Sequence, residues 1–241
     1  MESLYPFLYA DTSDINAVLE QVRQSTVAKA QEIIELRQQV LERDGERLVD
    51  CARDMAGRFA AGGRLFVFGN GGSASDAQRL VTLFLSPPNP SRSPPDPSRS
   101  LPDPSRNPPA PATPLPAVAL TSDSAIVTAL CNDIGVEVVF ARQLAAFARK
   151  QDIAIALSTS GNSANLLRAL EEAGRRGLLT IGIAGYDGGK MAELDYLDYL
   201  FFAPSASVHR IQECQTTMYH ALWELTQREL VIACASASRE S

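Results

Sequence analysis

The sequence lacks the composition that nucleic-acid-binding and metal-binding proteins usually have. It carries 22 lysines and arginines against 28 aspartates and glutamates, which gives a net charge of −6 and a pI near 5.0. Because a phosphate backbone needs a basic surface, we expect no direct nucleic-acid binding. There are two histidines, and the four cysteines stand far apart with no CxxC pair: Cys51, Cys131, Cys214 and Cys234. We expect all four to be buried, reduced thiols.

Long apolar runs are also absent. No run approaches the roughly 20 residues that a membrane-spanning helix needs. The first six residues lack the basic start and apolar core of a secretion signal. We therefore expect no membrane association and a cytoplasmic location. With 241 residues, 45% of them hydrophobic, the chain can bury a sizeable core as one domain.

Proline is scarce except in one segment. Residues 87–116 hold 13 of the 15 prolines, and residues 86–106 form three tandem heptapeptides. Proline at up to three of every seven positions excludes a helix, so we expect an extended or disordered insertion over 86–116. The simplest interpretation is a tolerated expansion of a surface loop. A docking site for a proline-binding protein partner is the alternative.

The rest of the chain divides into two parts. Apolar residues at helical spacing predict helices over 13–43 and 46–61, separated at Asp44-Gly45. The apolar faces of these helices have little to pack against within one chain. Residues 1–62 are therefore interpreted as an oligomerisation segment. Over 63–241 strands alternate with helices and a long helix closes the chain, which predicts an α/β fold with a central parallel sheet covered on both faces.

Two polar turns join a predicted strand to a predicted helix. One contains Ser158, Thr159, Ser160 and Ser163, and the other is the segment 69–73, Gly-Asn-Gly-Gly-Ser. Hydroxyls and free N–H groups at a helix N-terminus favour a phosphate. Each turn alone could equally be a capped helix start. Two such turns at equivalent ends of parallel strands favour a ligand site.

Seven motifs, in this order and spacing, resemble the sugar isomerase (SIS) domain family. They lie at 69–73, 115–120, 132–133, 140–143, 158–163, 187–192 and 210–213. More narrowly, the motifs resemble those of the phosphoheptose isomerase branch of this family, which includes the non-enzymatic DnaA initiator-associating regulator. It implies a flavodoxin-like three-layer α/β/α sandwich over 63–241 and a homotetramer with sugar-phosphate sites at subunit interfaces. In the enzymes, D-sedoheptulose 7-phosphate becomes an aldose through an enediol.

The resemblance also assigns roles to residues. It implies substrate contacts, including phosphate binding by the serines, for this set: Asn70, Gly71, Ser73, Asp123, Ser158, Thr159, Ser160, Ser163 and Gln212. It implies that His220 is a catalytic acid/base. Without the resemblance, His220 could be an ordinary packed residue of a buried helix. Glu213 lies seven residues before His220, about 20° away around a helix, and is a candidate partner for it.

The chain departs from the family in the helix after Gly72. Where the enzymes carry a histidine and a glutamate that serve zinc binding and proton transfer, this sequence has Arg79 and Leu83. Leucine can neither hold a metal nor move a proton, and an arginine repels a divalent cation. We therefore expect no cofactor and no zinc.

Three functions remain open at this point. The first is a phosphoheptose-type isomerase, and the second is a non-catalytic sugar-phosphate sensor or regulator. The third is a structural protein whose proline repeats recruit a partner, and the intact serine turn argues against it.

Overall fold

The chain folds around a five-stranded parallel sheet. The computed structural model describes residues 15–88 and 112–237. Its strands are β1 (Leu65–Gly69), β2 (Ala117–Ala119), β3 (Ile153–Leu157), β4 (Leu179–Gly185) and β5 (Tyr199–Ala203). They pair in the order β2-β1-β3-β4-β5, with every pairing parallel. This is the strand order of flavodoxin-like sheets, the fold that the resemblance implied.

Helices cover both faces of the sheet. They are α1 (Ile15–Ala60), α2 (Gly72–Leu85), α3 (Ser124–Ile134), α4 (Val139–Phe147), α5 (Ala164–Arg175) and α6 (Val208–Ala237). One core cluster lies between the sheet and α1, α2 and α6, and the other lies between the sheet and α4 and α5. Short 3₁₀ turns occupy 136–138 and 189–193. The predicted three-layer α/β/α sandwich with a long closing helix is confirmed.

The predicted break at Asp44-Gly45 is wrong, because α1 runs through it as one helix of 46 residues. A glycine inside a helix costs about 1 kcal/mol, which tertiary contacts can offset. Here the buried Asp44 carboxylate accepts hydrogen bonds from Arg43 at 2.6 Å and from Arg47 at 3.1 Å. Arg47 also donates to the carbonyl oxygen of Leu200 at 3.1 Å, which ties this part of α1 to β5.

The cysteines match the expectation in part. Cys51 and Cys214 are buried free thiols, and burial raises the pKa of Cys214 to about 11. Cys131 is only half-buried, and the side chain of Cys234 lies outside the described part of the chain. Most of the predicted insertion, residues 89–111, also lies outside it. Within the described ranges, no helix is long and apolar enough to cross a membrane.

Candidate functional site

The two polar turns start side by side at the carboxyl edge of the sheet. In the pairing of β1 with β3, Gly69 lies opposite Leu157, so the segments that follow leave the sheet at the same level. The neighbouring β2 lies on the other side of β1, and the chain order of the strands reverses at this point. Parallel sheets open their ligand crevice at such a point. The predicted turns therefore occupy the place where the fold forms a site.

A pair of asparagines joins the two turns. The amide of Asn70 donates to Asn165 at 2.9 Å, and the amide of Asn165 donates back to Asn70 at 2.9 Å. Asn165 is buried in the first turn of α5. The sequence interpretation did not include Asn165 as a site residue, although it ends the polar stretch that begins at Ser158. The reciprocal bonds fix the two turns relative to each other.

The serine turn, residues 158–163, holds its own shape by hydrogen bonds. The hydroxyl oxygen of buried Ser158 accepts from the N–H of Gly161 at 3.0 Å, and its carbonyl oxygen accepts from Gln215 at 2.8 Å. The hydroxyl oxygen of Ser160 accepts from the N–H of Asn162 at 3.2 Å. Ser158 therefore stabilises the shape of the serine turn through these hydrogen bonds. Gln215, which the sequence interpretation missed, supports it from α6.

Three hydroxyls of the serine turn are only half-buried. They belong to Thr159, Ser160 and Ser163. Ser163 caps α5 without using its side chain, because its carbonyl oxygen accepts from Leu166 at 3.0 Å while the hydroxyl makes no capping bond. These hydroxyls directly precede the first N–H groups of α5 along the chain. That combination suits a phosphate group.

A glycine turn after β4 supports the serine turn from the side. Gly161 has a φ of +67°, and a Cβ there would lie 1.9 Å from the carbonyl oxygen of Gly188. The N–H of Lys190 donates to the side chain of Asn162 at 2.9 Å, and the N–H of Met191 donates to the carbonyl oxygen of Gly161 at 3.1 Å. A side chain at position 161 would therefore collide with the turn after β4.

The first turn contacts α6. Gly71 precedes α2, and the N–H of buried Ser73 donates to the carbonyl oxygen of Asn70 at 3.1 Å. A Cβ on Gly72 would lie 2.4 Å from the side-chain nitrogen of Gln212. The structure therefore brings Gln212 to the turn that contains Asn70, Gly71 and Ser73.

Asp123 follows β2 at the start of α3. Its carboxylate caps that helix by accepting from the N–H of Ile126 at 3.0 Å. Asp123 is exposed. The geometry gives it a capping role, and its predicted substrate contact stays a prediction.

His220 lies away from the two turns, in a cavity of about 320 Å³ between α2 and α6. The residues lining this cavity are Arg79, Thr82, Leu83, Ser86, Pro88 and His220. His220 is eight residues after Gln212, which is about 12 Å along a helix. Burial lowers the pKa of His220, the charge of Arg79 lowers it further, and Glu224 partly offsets both.

The geometry does not favour the predicted pairing of Glu213 with His220. The two residues share one side of α6 but stand about 10.5 Å apart along its axis. Glu213 is exposed and forms an ion pair with Arg210. Asp76 of α2 contacts Tyr219, the residue that precedes His220. It accepts from the hydroxyl of Tyr219 at 3.5 Å, and burial raises its pKa.

The residues at the family's zinc positions do not fit zinc. Arg79 places a cation in the cavity and Leu83 places a methyl-rich side chain there. Zinc sites take at least three nitrogen, sulfur or oxygen ligands from the protein. Within residues 15–88 and 112–237, no three histidine, cysteine, aspartate or glutamate side chains cluster in a way that could hold a metal.

Comparison with known proteins gives a consistent result. A family model described as "SIS domain" matches residues 109–185. The chain is 37% identical to "Phosphoheptose isomerase" of Aquifex aeolicus over 81% of its length and 91% of the relative. It is 40% identical to the protein of that name from Desulfovibrio desulfuricans, over 83% of this chain and 84% of the relative.

Solved structures agree. The phosphoheptose isomerase GmhA from Neisseria gonorrhoeae has a TM-score of 0.70 and 31% identity, covering 86% of this chain and 99% of that one. A phosphoheptose isomerase from Francisella tularensis has a TM-score of 0.69 and 26% identity, covering 87% and 98%. The chain belongs to the phosphoheptose isomerase family of SIS-domain proteins.

Proposed function

We propose that this chain binds a phosphorylated sugar at the carboxyl edge of its sheet. The observation that carries this proposal is the set of half-buried hydroxyls of Thr159, Ser160 and Ser163 at the N-terminus of α5. These groups can bind the phosphate, while Asn70 and Gln212 stand beside them as partners for sugar hydroxyls. Calorimetric titration with D-sedoheptulose 7-phosphate tests the proposal, and absence of binding would contradict it.

The chemistry that we propose is aldose-ketose isomerisation of the phosphoheptose type, running slowly. The reaction removes a proton from one carbon and returns it to its neighbour, so it needs a positioned acid/base. His220 is the candidate, and the lowered pKa keeps its imidazole neutral at pH 7, as a base requires. The experiment is an NMR assay for solvent-proton exchange into sedoheptulose 7-phosphate.

A second copy of the chain is part of this proposal, with a homotetramer as the expected assembly. Along the first half of α1 the apolar side chains are exposed, among them Ile15, Leu19, Val22 and Val27. An apolar groove of about 320 Å³ continues this surface between α1 and α6, lined by residues that include Ile34, Leu41, Met218 and Ala221. Exposed apolar surface of this extent favours a protein interface. A second copy could also bring His220 to a sugar held in another chain's serine turn.

A non-catalytic sugar-phosphate sensor or regulator is the second candidate. Buried Leu83 and cationic Arg79 in the cavity of His220 favour it, because neither can transfer a proton at neutral pH. Binding without any exchange of sugar protons with solvent would select this candidate over the isomerase. For either one we propose a cytoplasmic location, and the acidic charge balance supports the absence of direct contact with nucleic acid.

A further inference from the structure

Arg79 places a cation in a concave site. Its side chain lines the cavity between α2 and α6 and is exposed. Within residues 15–88 and 112–237 it makes no hydrogen bond or ion pair. Other arginines do have carboxylate partners, as Arg43 and Arg53 of α1 have in Asp44 and Asp50. The charge of Arg79 acts on Asp76, three residues earlier on α2, but the two form no ion pair in the described part of the chain, so the N–H groups of Arg79 are open to an anion.

The surroundings of Arg79 strengthen its attraction for an anion. Leu83 and Pro88 contribute apolar surface to the cavity that Arg79 shares with His220. The titratable groups near His220 are Arg79 and Asp76 on α2 and Tyr219 and Glu224 on α6. The ring of His220 stacks on buried Tyr219, with centroids 5.2 Å apart, which limits its movement. A guanidinium beside apolar wall and a fixed imidazole is less screened than one on open surface.

We propose that this cavity is an anion-binding subsite, in which Arg79 and His220 bind a phosphate or carboxylate group. The guanidinium offers two parallel N–H groups that match either anion. The imidazole donates a third hydrogen bond, and an anion beside it favours uptake of a proton from solvent.

The subsite is separate from the serine turn. Gly72 and Arg79 are seven residues apart on α2, which is about 10.5 Å. The anion is therefore either a second acidic group on the proposed sugar-phosphate ligand or a free anion such as phosphate. The first source rests on the proposed function and the second does not.

Histidine NMR tests the proposal directly, because the chain has only two histidines, His209 and His220. The variant His220→Gln assigns the signals. The probes are inorganic phosphate, sedoheptulose 7-phosphate and sedoheptulose 1,7-bisphosphate, each titrated into the full chain. We expect inorganic phosphate or the bisphosphate to raise the pKa of His220. Arg79→Met should weaken the binding of that anion about tenfold or more, the scale of a lost hydrogen bond to a charged group.

A matched control is Arg142→Met, which removes an exposed arginine from α4 on the opposite face of the sheet. It should behave as the unmodified chain does. Ser160→Ala separates the two sources of the anion. If inorganic phosphate still raises the pKa of His220 in this variant, the anion is free phosphate. If the effect of the bisphosphate on that pKa weakens, the anion is a second acidic group of the sugar ligand.

Two results would overturn the subsite. One is a His220 signal that moves with none of the three probes, and the other is an equal response in Arg79→Met and the unmodified chain. The proposed function fails differently, through absence of sedoheptulose 7-phosphate binding or through no effect of Ser160→Ala on it. Circular dichroism of Arg79→Met, with Arg79→Lys as a second variant that keeps the charge, shows that the fold is retained.

Discussion

Gly161 and Gly188 touch backbone to backbone, and a Cβ added to Gly161 would lie 1.9 Å from the carbonyl oxygen of Gly188. This contact presses the serine turn against the turn after β4. The left-handed φ of +67° at Gly161 adds a second reason why this position needs glycine. The shape of the serine turn therefore depends on two residues that carry no side chain.

Gly161→Ala tests that dependence. The left-handed backbone alone should cost about 1–2 kcal/mol for alanine, and the clash should add to this cost and displace the hydroxyls. Gly62→Ala is the matched control, because Gly62 has a φ of +79° and open space around its Cα. Denaturant unfolding of both variants measures the difference. Equal losses of stability would show that the serine turn can move away from Gly188 at no cost.

Ser160→Ala tests phosphate binding by the serine turn. The hydroxyl of Ser160 is half-buried and stands beside the N-terminus of α5. Removing it should weaken sugar-phosphate binding by roughly 1–2 kcal/mol, the scale of a hydrogen bond to a charged group. Calorimetry with sedoheptulose 7-phosphate gives the affinity, with Ser25→Ala on the exposed part of α1 as control. Unchanged affinity in Ser160→Ala would remove this serine from the site.

The sequence predicted the sheet and the two polar turns because these follow from local patterns. Apolar runs such as 153–157 end at polar residues that begin a helix, and strands of this kind pair in parallel. The role of Asn165 could not be predicted in this way, since its partner Asn70 is 95 residues away. The continuity of α1 through Gly45 likewise depends on contacts with β5 that only the folded chain provides.

The placement of His220 shows a different limit. The spacing along α6 predicted correctly that Gln212 and His220 are carried by the same helix. It could not predict which neighbour each would meet, because that depends on how α6 crosses α2. Gln212 meets Gly72 at the first turn, while His220 meets Arg79 and Leu83 further along. Within one chain, Gln212 and His220 therefore lie apart, although the resemblance assigned both to one site.

The proline-rich insertion begins and ends at neighbouring points of the fold. The N–H of Leu115 donates to the carbonyl oxygen of Phe84 at 2.8 Å, and Thr113 exchanges hydrogen bonds with Gln227 at 2.9 and 2.8 Å. Replacing 89–111 by a short glycine-serine linker should therefore leave the melting temperature and the oligomeric state unchanged. Light scattering and thermal unfolding measure both. Loss of the oligomer would show that the insertion belongs to the interface.

The lowered pKa of His220 predicts how stability depends on pH. Below its ordinary value of 6.5, the unfolded chain takes up this proton before the folded chain does. Stability should therefore rise with pH through this window, and the contribution ends above pH 6.5. Asp76, whose pKa is raised above its ordinary value of 3.8, acts in the opposite sense. The difference between the unmodified chain and His220→Gln isolates the histidine.

Removing the charge of Arg79 should bring the pKa of His220 back toward its ordinary value. Burial would still hold it down, because burial is the larger cause. The histidine NMR titration of Arg79→Met without added anion measures this change. A His220 pKa that stays where it is would mean that Arg79 exerts no field at the imidazole.

Zinc binding and isomerase turnover both depend on positions 79 and 83. With Arg79 and Leu83 in the cavity, the purified chain should hold no stoichiometric zinc, and elemental analysis checks this. The missing acid/base should lower isomerase turnover by about 10²–10⁴-fold relative to an enzyme that has both groups. The solvent-exchange assay with sedoheptulose 7-phosphate gives the rate.

Restoring the family's histidine at position 79 and glutamate at position 83 should restore both zinc binding and isomerase turnover. Leu83 already lines the cavity, so the carboxylate of Leu83→Glu can reach it without crossing the core, and Arg79→His removes the cation that repels a metal. The double variant should gain zinc affinity and turnover, whereas Leu83→Gln with Arg79→His should gain little, because a neutral amide neither holds zinc well nor moves a proton. One zinc per chain in the unmodified protein, or full turnover that disappears in His220→Ala, would contradict this account. Full turnover would mean that His220 works with an acid/base that does not come from Arg79 or Leu83, and bound zinc would mean that other side chains hold the metal.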